Sequence, residues 1–389
     1  MRIMVLGAGY AGVACALRLS RERRTQVTLV TRDAHFCERI RLHEQVAHGL
    51  APHQALAELL EGTEVSLTLG QIEHIDLAAQ VVRVSGQSLP WDRLVLAMGS
   101  RSLLGNTPGV REHAFTLDGS DAARLAQRVP EIAARAGRLL VVGGGLTGVE
   151  AATELAERWP TLRVTLLTRG EVADGWSKRG REHVLRTLER LGVELIQHAK
   201  VASLSERGAH TDRGVVAYDA CLWCVGFEAS PIAREAGLQV NALGQVSVDA
   251  RLRSLSHPHV YAVGDCALPV ESVGDPMPMG CKSALPTGFH AANNIARSAR
   301  GERERPLVFR SPFFCVSLGR NDGLIQGRAR DTSLRGRALT GQAAAWFKEL
   351  VCRSTTWVLR LERQRSAWSR RFGLRTTGEH ARLPENVAG

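Results

Sequence analysis

An α/β fold with two parallel-sheet units and a C-terminal helical appendage follows from three observations. Short apolar strand segments alternate with helical segments along most of the 389 residues. A strand, a glycine turn, a helix and a second strand occur in that order twice, once from Arg2 and again from Arg138. From about Pro312 onward the pattern stops and the composition changes. A chain of this length accommodates two or three domains, each able to bury its own core.

The elements follow in order. Residues 2–6 form a short apolar strand, 11–19 a helix and 26–30 a second strand. Residues 64–84 alternate apolar and polar side chains (Val65-Ser66-Leu67-Thr68-Leu69, then Val81-Val82-Arg83-Val84), which predicts an antiparallel meander. Residues 94–97 are another apolar strand, ending in Met98-Gly99-Ser100. The arrangement then restarts with a strand at 138–142, a helix at 149–158 and a strand at 163–167. Strands at 220–225 and 259–263 and a helix at 287–297 complete the regular part.

Composition narrows the class. With 44% hydrophobic and 23% charged residues the chain has the makeup of a globular protein, and no apolar run approaches the roughly 18 residues of a membrane span. The first six residues lead straight into glycines rather than toward a cleavage site, which predicts a cytoplasmic protein. The net charge of +11 is concentrated late: residues 300–389 hold 18 basic against 8 acidic side chains, leaving 32 against 31 before them. Such asymmetry suits the tail to an anionic surface, lipid or nucleic acid, or to a solvated basic face. Eight cysteines are scattered without zinc-ligand spacing, and no metal is expected. Cys221 and Cys224 sit three apart in a predicted strand, where their side chains face opposite ways, so they are expected as core residues rather than a redox pair.

The chemistry lies in the two turns. Gly7-Ala8-Gly9-Tyr10-Ala11-Gly12 and Gly143-Gly144-Gly145-Leu146-Thr147-Gly148 both match G-x-G-x-x-G between a strand and a helix. The first glycine permits the tight turn, the second lets backbone approach a pyrophosphate, and the third packs helix against strand. The helix start supplies bare N–H groups and a positive dipole end to the anion. An acid for the ribose hydroxyls is expected at the end of each second strand, and both strands depart from this. The first ends Val30-Thr31-Arg32-Asp33, with Asp33 arriving late; the second ends Leu167-Thr168-Arg169-Gly170, with no acid and an arginine. Arg169, followed by Lys178, Arg179 and Arg181, favours a 2′-phosphate and hence NADPH over NADH.

With these motifs, and with Leu94-Val95-Leu96-Ala97-Met98-Gly99-Ser100, the run from Gly143 to Glu150, and Val260-Tyr261-Ala262-Val263-Gly264-Asp265, the chain resembles the two-dinucleotide flavoproteins of the pyridine nucleotide–disulfide oxidoreductase superfamily. Within it the chain looks most like type II NADH dehydrogenases and similar bacterial FAD-dependent oxidoreductases, over about residues 1–300. The resemblance implies a glutathione-reductase-like pair of Rossmann-type domains: an FAD-binding domain from residues 1–105 and 231–310, an NAD(P)H-binding domain from 106–230, and an appendage from 311–389. It implies that the first turn, Gly264 and Asp265 bind FAD, with Asp265 at the ribityl chain, and that the second turn binds NADPH or NADH. Strand ends, motifs and resemblance together give the expected cofactor-binding set: Gly7, Gly9, Tyr10, Ala11, Gly12, Asp33, Arg41, Ala97, Gly99, Gly143, Gly145, Leu146, Thr147, Gly148, Glu150, Arg169, Gly226, Gly264 and Asp265. Glu150, an acid favoured near a helix start, is implied to lie where nicotinamide meets flavin and is a catalytic candidate.

Two departures stand out. The disulfide reductases carry C-x-x-x-x-C after the second strand, whereas Cys37 has no such partner, so a dithiol relay is not expected. Type II NADH dehydrogenases carry a glutamine-rich stretch at the quinone pocket; here Lys282, Pro286 and Thr287 take the glutamine positions, and Lys282 becomes the second catalytic candidate. In the tail, Trp346, Leu350, Trp357, Leu361 and Trp368 form an apolar stripe at helical spacing. Arg353, Arg360 and Arg371 flank it, while Lys348, Arg363 and Arg370 lie away from it. The stripe suits a membrane interface, the protein's own core or a second copy in a homodimer.

The expected reaction takes hydride from NAD(P)H to FAD and passes the electrons to a small-molecule acceptor, a quinone or an organic substrate. The alternatives are a soluble NADPH-dependent flavin reductase serving a biosynthetic substrate or partner protein, and a redox sensor of negligible turnover. A cytoplasmic protein, peripheral on the inner face of the membrane and without a nucleic-acid partner, is expected.

Overall fold

The computed structural model describes residues 1–51, 53–271, 273–274, 277–328 and 334–372, with the side chains of residues 273, 274, 334–336 and 369–372 outside that description. The side chains of Arg371, expected beside the tail stripe, and Arg370, expected away from it, lie outside the described residues.

The first sheet contains β1 (Arg2–Leu6), β2 (Gln26–Thr31), β3 (Val65–Leu69) and β4 (Arg93–Leu96), with α1 (Tyr10–Leu19) between β1 and β2 and α2 (Leu42–His48) after β2. The second contains β5 (Ala114–Phe115), β6 (Arg138–Val142), β7 (Arg163–Leu167), β8 (Glu194–Ile196) and β9 (Ala220–Trp223), with α3 (Leu146–Arg158) after β6 and α4 (Lys178–Arg190) after β7. β10 (Val260–Ala262) then returns to the first sheet beside β4, and α5 (Cys281–Ala299) follows. The orders are β10-β4-β1-β2-β3 and β5-β9-β6-β7-β8, every pairing parallel. Four strands of each sheet thus share one order, with the strand before each glycine turn at the centre of the sheet; the fifth comes last in the first unit (β10) and first in the second (β5). Burial of β1 and β6 on both faces explains their unbroken apolar runs.

The duplication extends to a three-stranded antiparallel meander between the third and fourth strands of each unit. These are Ile72–Asp76, Val81–Val84 and Gln87–Pro90 in the first, and Val201–Ser205, Gly208–Thr211 and Gly214–Ala217 in the second. The meander expected from residue 64 therefore begins later. Residues 65–69 instead pair in parallel with β2, Val27 opposite Val65. As an edge strand β3 is only partly buried, so it alternates as a meander strand does. Where the chain leaves the first unit and returns, Ser100–Ser102 pairs antiparallel with Phe227–Ala229. α5 begins six residues earlier than the sequence predicts, because Pro286 is tolerated inside its second turn. Gly288 of α5 lies so close to Ala11 that a Cβ there would strike the Ala11 backbone, which locks α5 onto α1.

The appendage opens with an antiparallel sheet, β11 (Phe313–Ser317), β12 (Gly323–Arg328) and β13 (Leu334–Thr340), before the expected helix, α6 (Gln342–Phe372). It clamps both units. Buried Glu362 of α6 is bound by Arg18 of α1 and by Arg21 just after it, and Glu349 by Arg41 at 2.9 Å. On the second unit, Asp322 meets His183 at 2.8 Å and Arg190 at 3.1 Å from α4. The tail stripe faces outward: Trp346 is 74%, Leu350 64%, Trp357 59% and Trp368 54% exposed, with Leu361 half-buried. Among the described residues no helix is long and apolar enough to cross a membrane.

Candidate functional site

The two glycine turns have the same backbone. Gly7 has φ +104° and Gly143 φ +123°, and a Cβ on either would strike the carbonyl of Ala97 or Cys224, the residue after the neighbouring strand. A Cβ on Gly12 or Gly148 would fall on the carbonyl oxygen of Gly7 or Gly143. By contrast, a Cβ on Gly9 or Gly145 meets nothing within 4 Å. Open space therefore lies before each helix start. Neither α1 nor α3 has a side-chain cap or an acid in its first turn, whereas α4 is capped by Ser177, whose hydroxyl accepts the Gly180 N–H at 3.1 Å. Uncapped N–H groups at a positive helix end call for an anion. These features fit one dinucleotide pyrophosphate at each turn.

The remaining candidates fall around these starts. Gly99 (φ +68°) and Gly226 (φ +152°) occupy matching places two residues beyond Ala97 and Cys224. Gly264 (φ +62°) donates its N–H to Thr287 Oγ1 at 2.9 Å and packs on Ala11. Asp265 is held by the Ser100 hydroxyl at 2.6 Å and the Gly280 N–H at 2.7 Å, which fixes the carboxylate at the start of α5. Tyr10 is 6% exposed, its ring edge-on to Phe36 with centroids 5.0 Å apart. Its hydroxyl lies near Thr355 of α6 without forming a regular hydrogen bond. Thr147 is half-buried, while Leu146, the second-turn counterpart of Tyr10, is 43% exposed.

The strand ends differ from one another. Asp33 is exposed and pairs with Arg32 at 3.1 Å. Arg41 is occupied by Glu38, Glu44 and Glu349, so the structure gives it a carboxylate network that ties α2 to α6. Arg169 is exposed and forms no ion pair among the described residues, while Arg181 is taken up by Glu171 at 2.5 Å. Lys178 and Arg179 stand exposed at the start of α4.

Where the units and the appendage meet, a half-buried charged cluster forms. Glu150 pairs with Lys348 of α6 at 3.0 Å and accepts the Ser317 N–H at 3.1 Å. Burial alone would raise the Glu150 carboxyl, but Lys348, His43 and the Ser317 amide hold it below its usual range. Burial alone would lower the Lys348 ammonium, but Glu150 lifts it above the usual lysine range. The pair is ionised. Lys282 donates to Ser311 Oγ at 2.9 Å and to the Phe313 carbonyl, with its ammonium 5.5 Å from the Phe313 ring centre. Burial pulls that ammonium below the usual range, and Arg328 and Lys348 add to the effect. Cys281 and Cys315 lie in the same cluster, both thiols raised by burial. Elsewhere, burial pushes Cys37 up to about 11 and Cys224 up to about 12. All eight cysteines are free, and no group of metal-ligating side chains exists among the described residues.

The structure thus brings Glu150 and Lys282 into one cluster and adds two residues that the sequence reading missed. One is Lys348. The other is His43 of α2, which is 4% exposed with its Nε2 unpartnered. A compositional signal for Lys348 was present. Of 50 basic residues only four are lysines (Lys178, Lys200, Lys282 and Lys348), and two of the four meet here. Arginine does not give up its proton in proteins, whereas a buried lysine can, so lysine in an arginine-rich chain marks a place where that difference counts.

Comparison with known proteins gives the family and the fold. The family model described as pyridine nucleotide-disulphide oxidoreductase matches residues 1–290. An NADH dehydrogenase-like protein of Mycobacterium tuberculosis is 30% identical over 343 residues, 82% of this chain and 85% of that protein. The demethylphylloquinone reductase of Synechocystis is 27% identical over 383 residues, 92% of this chain and 93% of that protein. The structure of NDH2 from Plasmodium falciparum in complex with NADH superposes with a TM-score of 0.79 at 12% identity, covering 95% of this chain and 98% of that one. At that identity the last likeness speaks for the fold alone.

Proposed function

The chain belongs to the pyridine nucleotide-disulphide oxidoreductase family, and on that premise we propose that it takes hydride from NAD(P)H onto FAD and passes the electrons to a quinone-type acceptor. It is an NADH dehydrogenase-like FAD-dependent oxidoreductase. The observation that carries the proposal is the pair of uncapped helix starts on one duplicated framework. In this reading the FAD pyrophosphate lies at Gly7–Gly12 with Asp265 at its ribityl chain, and NAD(P)H lies at Gly143–Gly148. The bound flavin accepts a hydride and releases electrons singly or in pairs. The protein places two carriers against each other and manages charge between them.

Glu150 and Lys348 form a charge-balanced pair that holds a proton on the Lys348 nitrogen within reach of the carboxylate. The quinone reading draws support from the Synechocystis demethylphylloquinone reductase, aligned along nearly the whole chain. The outward tryptophan stripe with Arg353 and Arg360 supports peripheral attachment to a membrane surface, where such acceptors reside. Unpaired Arg169, with Lys178 and Arg179, supports NADPH as the hydride donor. The test is to reduce the purified enzyme anaerobically with NADPH and mix it with ubiquinone or menaquinone analogues. Rapid return of the flavin absorbance is expected; a reduced flavin that no quinone reoxidises would overturn the quinone assignment.

A further inference from the structure

Resting on that reading, the charge of the junction narrows the acceptor. Lys282, at the start of α5, reaches across to the Ser311–Phe313 segment by donating to Ser311 Oγ at 2.9 Å and to the Phe313 carbonyl. Arg328, at the end of β12, is held to the same segment by its backbone N–H, which donates to the Pro312 carbonyl at 2.7 Å. Its Nε is buried and has no hydrogen-bond partner among the described residues. Lys348 joins from α6. Three cations from three elements therefore converge, while the pair with Lys348 occupies Glu150, the one carboxylate of the cluster among the described residues. No other acid within ion-pairing distance of Lys282 or Arg328 occurs among the described residues. The wall around them is Cys281, Cys315 and the Phe313 ring, with Phe347 packed edge-on to Phe313 at 5.5 Å.

Half-buried cations without counter-charges are costly unless a ligand supplies the missing charge. An aromatic wall with a surplus of positive charge recognises a flat ring bearing an acidic group. We infer that the acceptor is a quinone-type ring carrying a carboxylate, sulfonate or ionised hydroxyl, and that Lys282 and Arg328 bind that group. A neutral quinone of the same ring also reoxidises the flavin, at a lower rate. The rival explanation is that the same cations only favour the negative charge of the reduced flavin.

The two are separated by reoxidation of the NADPH-reduced holoenzyme with menadione and with a naphthoquinone sulfonate, in the wild type, Lys282→Gln and Arg328→Gln. The quantity read is the sulfonate-to-menadione ratio of second-order rate constants, taken within each protein so that changes in the flavin cancel. The ratio falls about ten-fold in each variant and falls with added salt in the wild type, as expected for loss or screening of one charge contact. A ratio unchanged in both variants and insensitive to salt overturns the inference and leaves the flavin-stabilising role. Flavin that neither NADPH nor NADH reduces in the wild type would instead overturn the oxidoreductase reading itself.

Discussion

The two nucleotide-binding units share a backbone and differ in what covers them. In each, a positive-φ glycine turns the chain under the next strand and an uncapped helix start follows. Yet the residue after the second glycine is Tyr10, 6% exposed, in the first unit and Leu146, 43% exposed, in the second. α5 and α6 seal the first helix, through Gly288 against Ala11 and Glu362 against Arg18 and Arg21. Among the described residues the appendage meets the second helix further along, at Glu150 and Glu154, and leaves Leu146 open. On the proposed reading, one framework provides an enclosed site for a resident cofactor and an open one for a cofactor that must leave after each turnover. What distinguishes them is the packing added later in the chain rather than the motif.

That contrast is broken most severely at the third glycines. Gly12→Val places side-chain atoms on the Gly7 carbonyl, and a loss of about 3 kcal/mol or more is expected with colourless protein. Gly148→Val meets the same clash at Gly143, but the protein is expected to stay yellow and to lose reduction by NADPH. Flavin absorbance and thermal unfolding of the two variants decide the matter. If both lose flavin equally, the sites are not independent.

Next in size is the junction. Glu150→Gln strands the Lys348 ammonium in a half-buried place, and about 2 to 3 kcal/mol of stability is expected to go with it. Adding Lys348→Met restores most of the stability but not turnover. A double variant as unstable as the single one would show that the two side chains do not act as a pair.

At the open site, Arg169→Ala is expected to lower kcat/KM for NADPH about ten-fold, the loss of one exposed charge-assisted contact, and to leave NADH nearly unaffected. Equal losses with both cofactors would remove Arg169 from nucleotide discrimination.

The clamps respond to acid. Hydrogen bonds from His183 and Thr187 overcome burial and lower Asp322 from 3.8 to about 2, and Arg18 holds Glu362 below its usual range. Both folded-state values are depressed, so their stabilisation is present above the ordinary carboxylate range. It is lost as pH falls through that range, toward about 2 for Asp322. Asp322→Asn is expected to cost about 1 kcal/mol at neutral pH, after solvent screening, and almost nothing near the acid limit. A pH-independent loss in the melting temperature would contradict this. The smallest effect on stability, under about 0.5 kcal/mol, is expected for Trp346→Glu with Trp357→Glu, both exposed. The same change is expected to abolish sedimentation with anionic vesicles, and full retention of vesicle binding would leave the stripe without a membrane role.

Much of the architecture was legible because its steric demands admit few residues. Only glycine fits where a Cβ would strike a carbonyl, as at Gly7, Gly12, Gly143 and Gly148, and those positions located both turns. Buried central strands are largely apolar, so Arg138–Val142 and Arg163–Leu167 are legible to the residue. The edge strand Val65–Leu69 was misassigned because partial exposure gives it the alternation of a meander. The appendage sheet went unnoticed because its strands carry no glycine motif and take their place through contacts such as Asp322 with α4. Lys348 and His43 were missed for a related reason. Their partner, Glu150, is distant in sequence, and helical periodicity assigns a lone polar residue to solvent when a folded junction buries it. The scarcity of lysine was the one local hint.

The central claim is that an enclosed flavin and an exchangeable nicotinamide face each other across this duplicated frame. Anaerobic titration of the purified protein with NADPH, followed at the flavin absorbance band, tests it most directly. Stoichiometric bleaching of a yellow protein is predicted. A protein that arrives colourless and takes up no added FAD, or a yellow one that NADPH and NADH both leave oxidised, would contradict it.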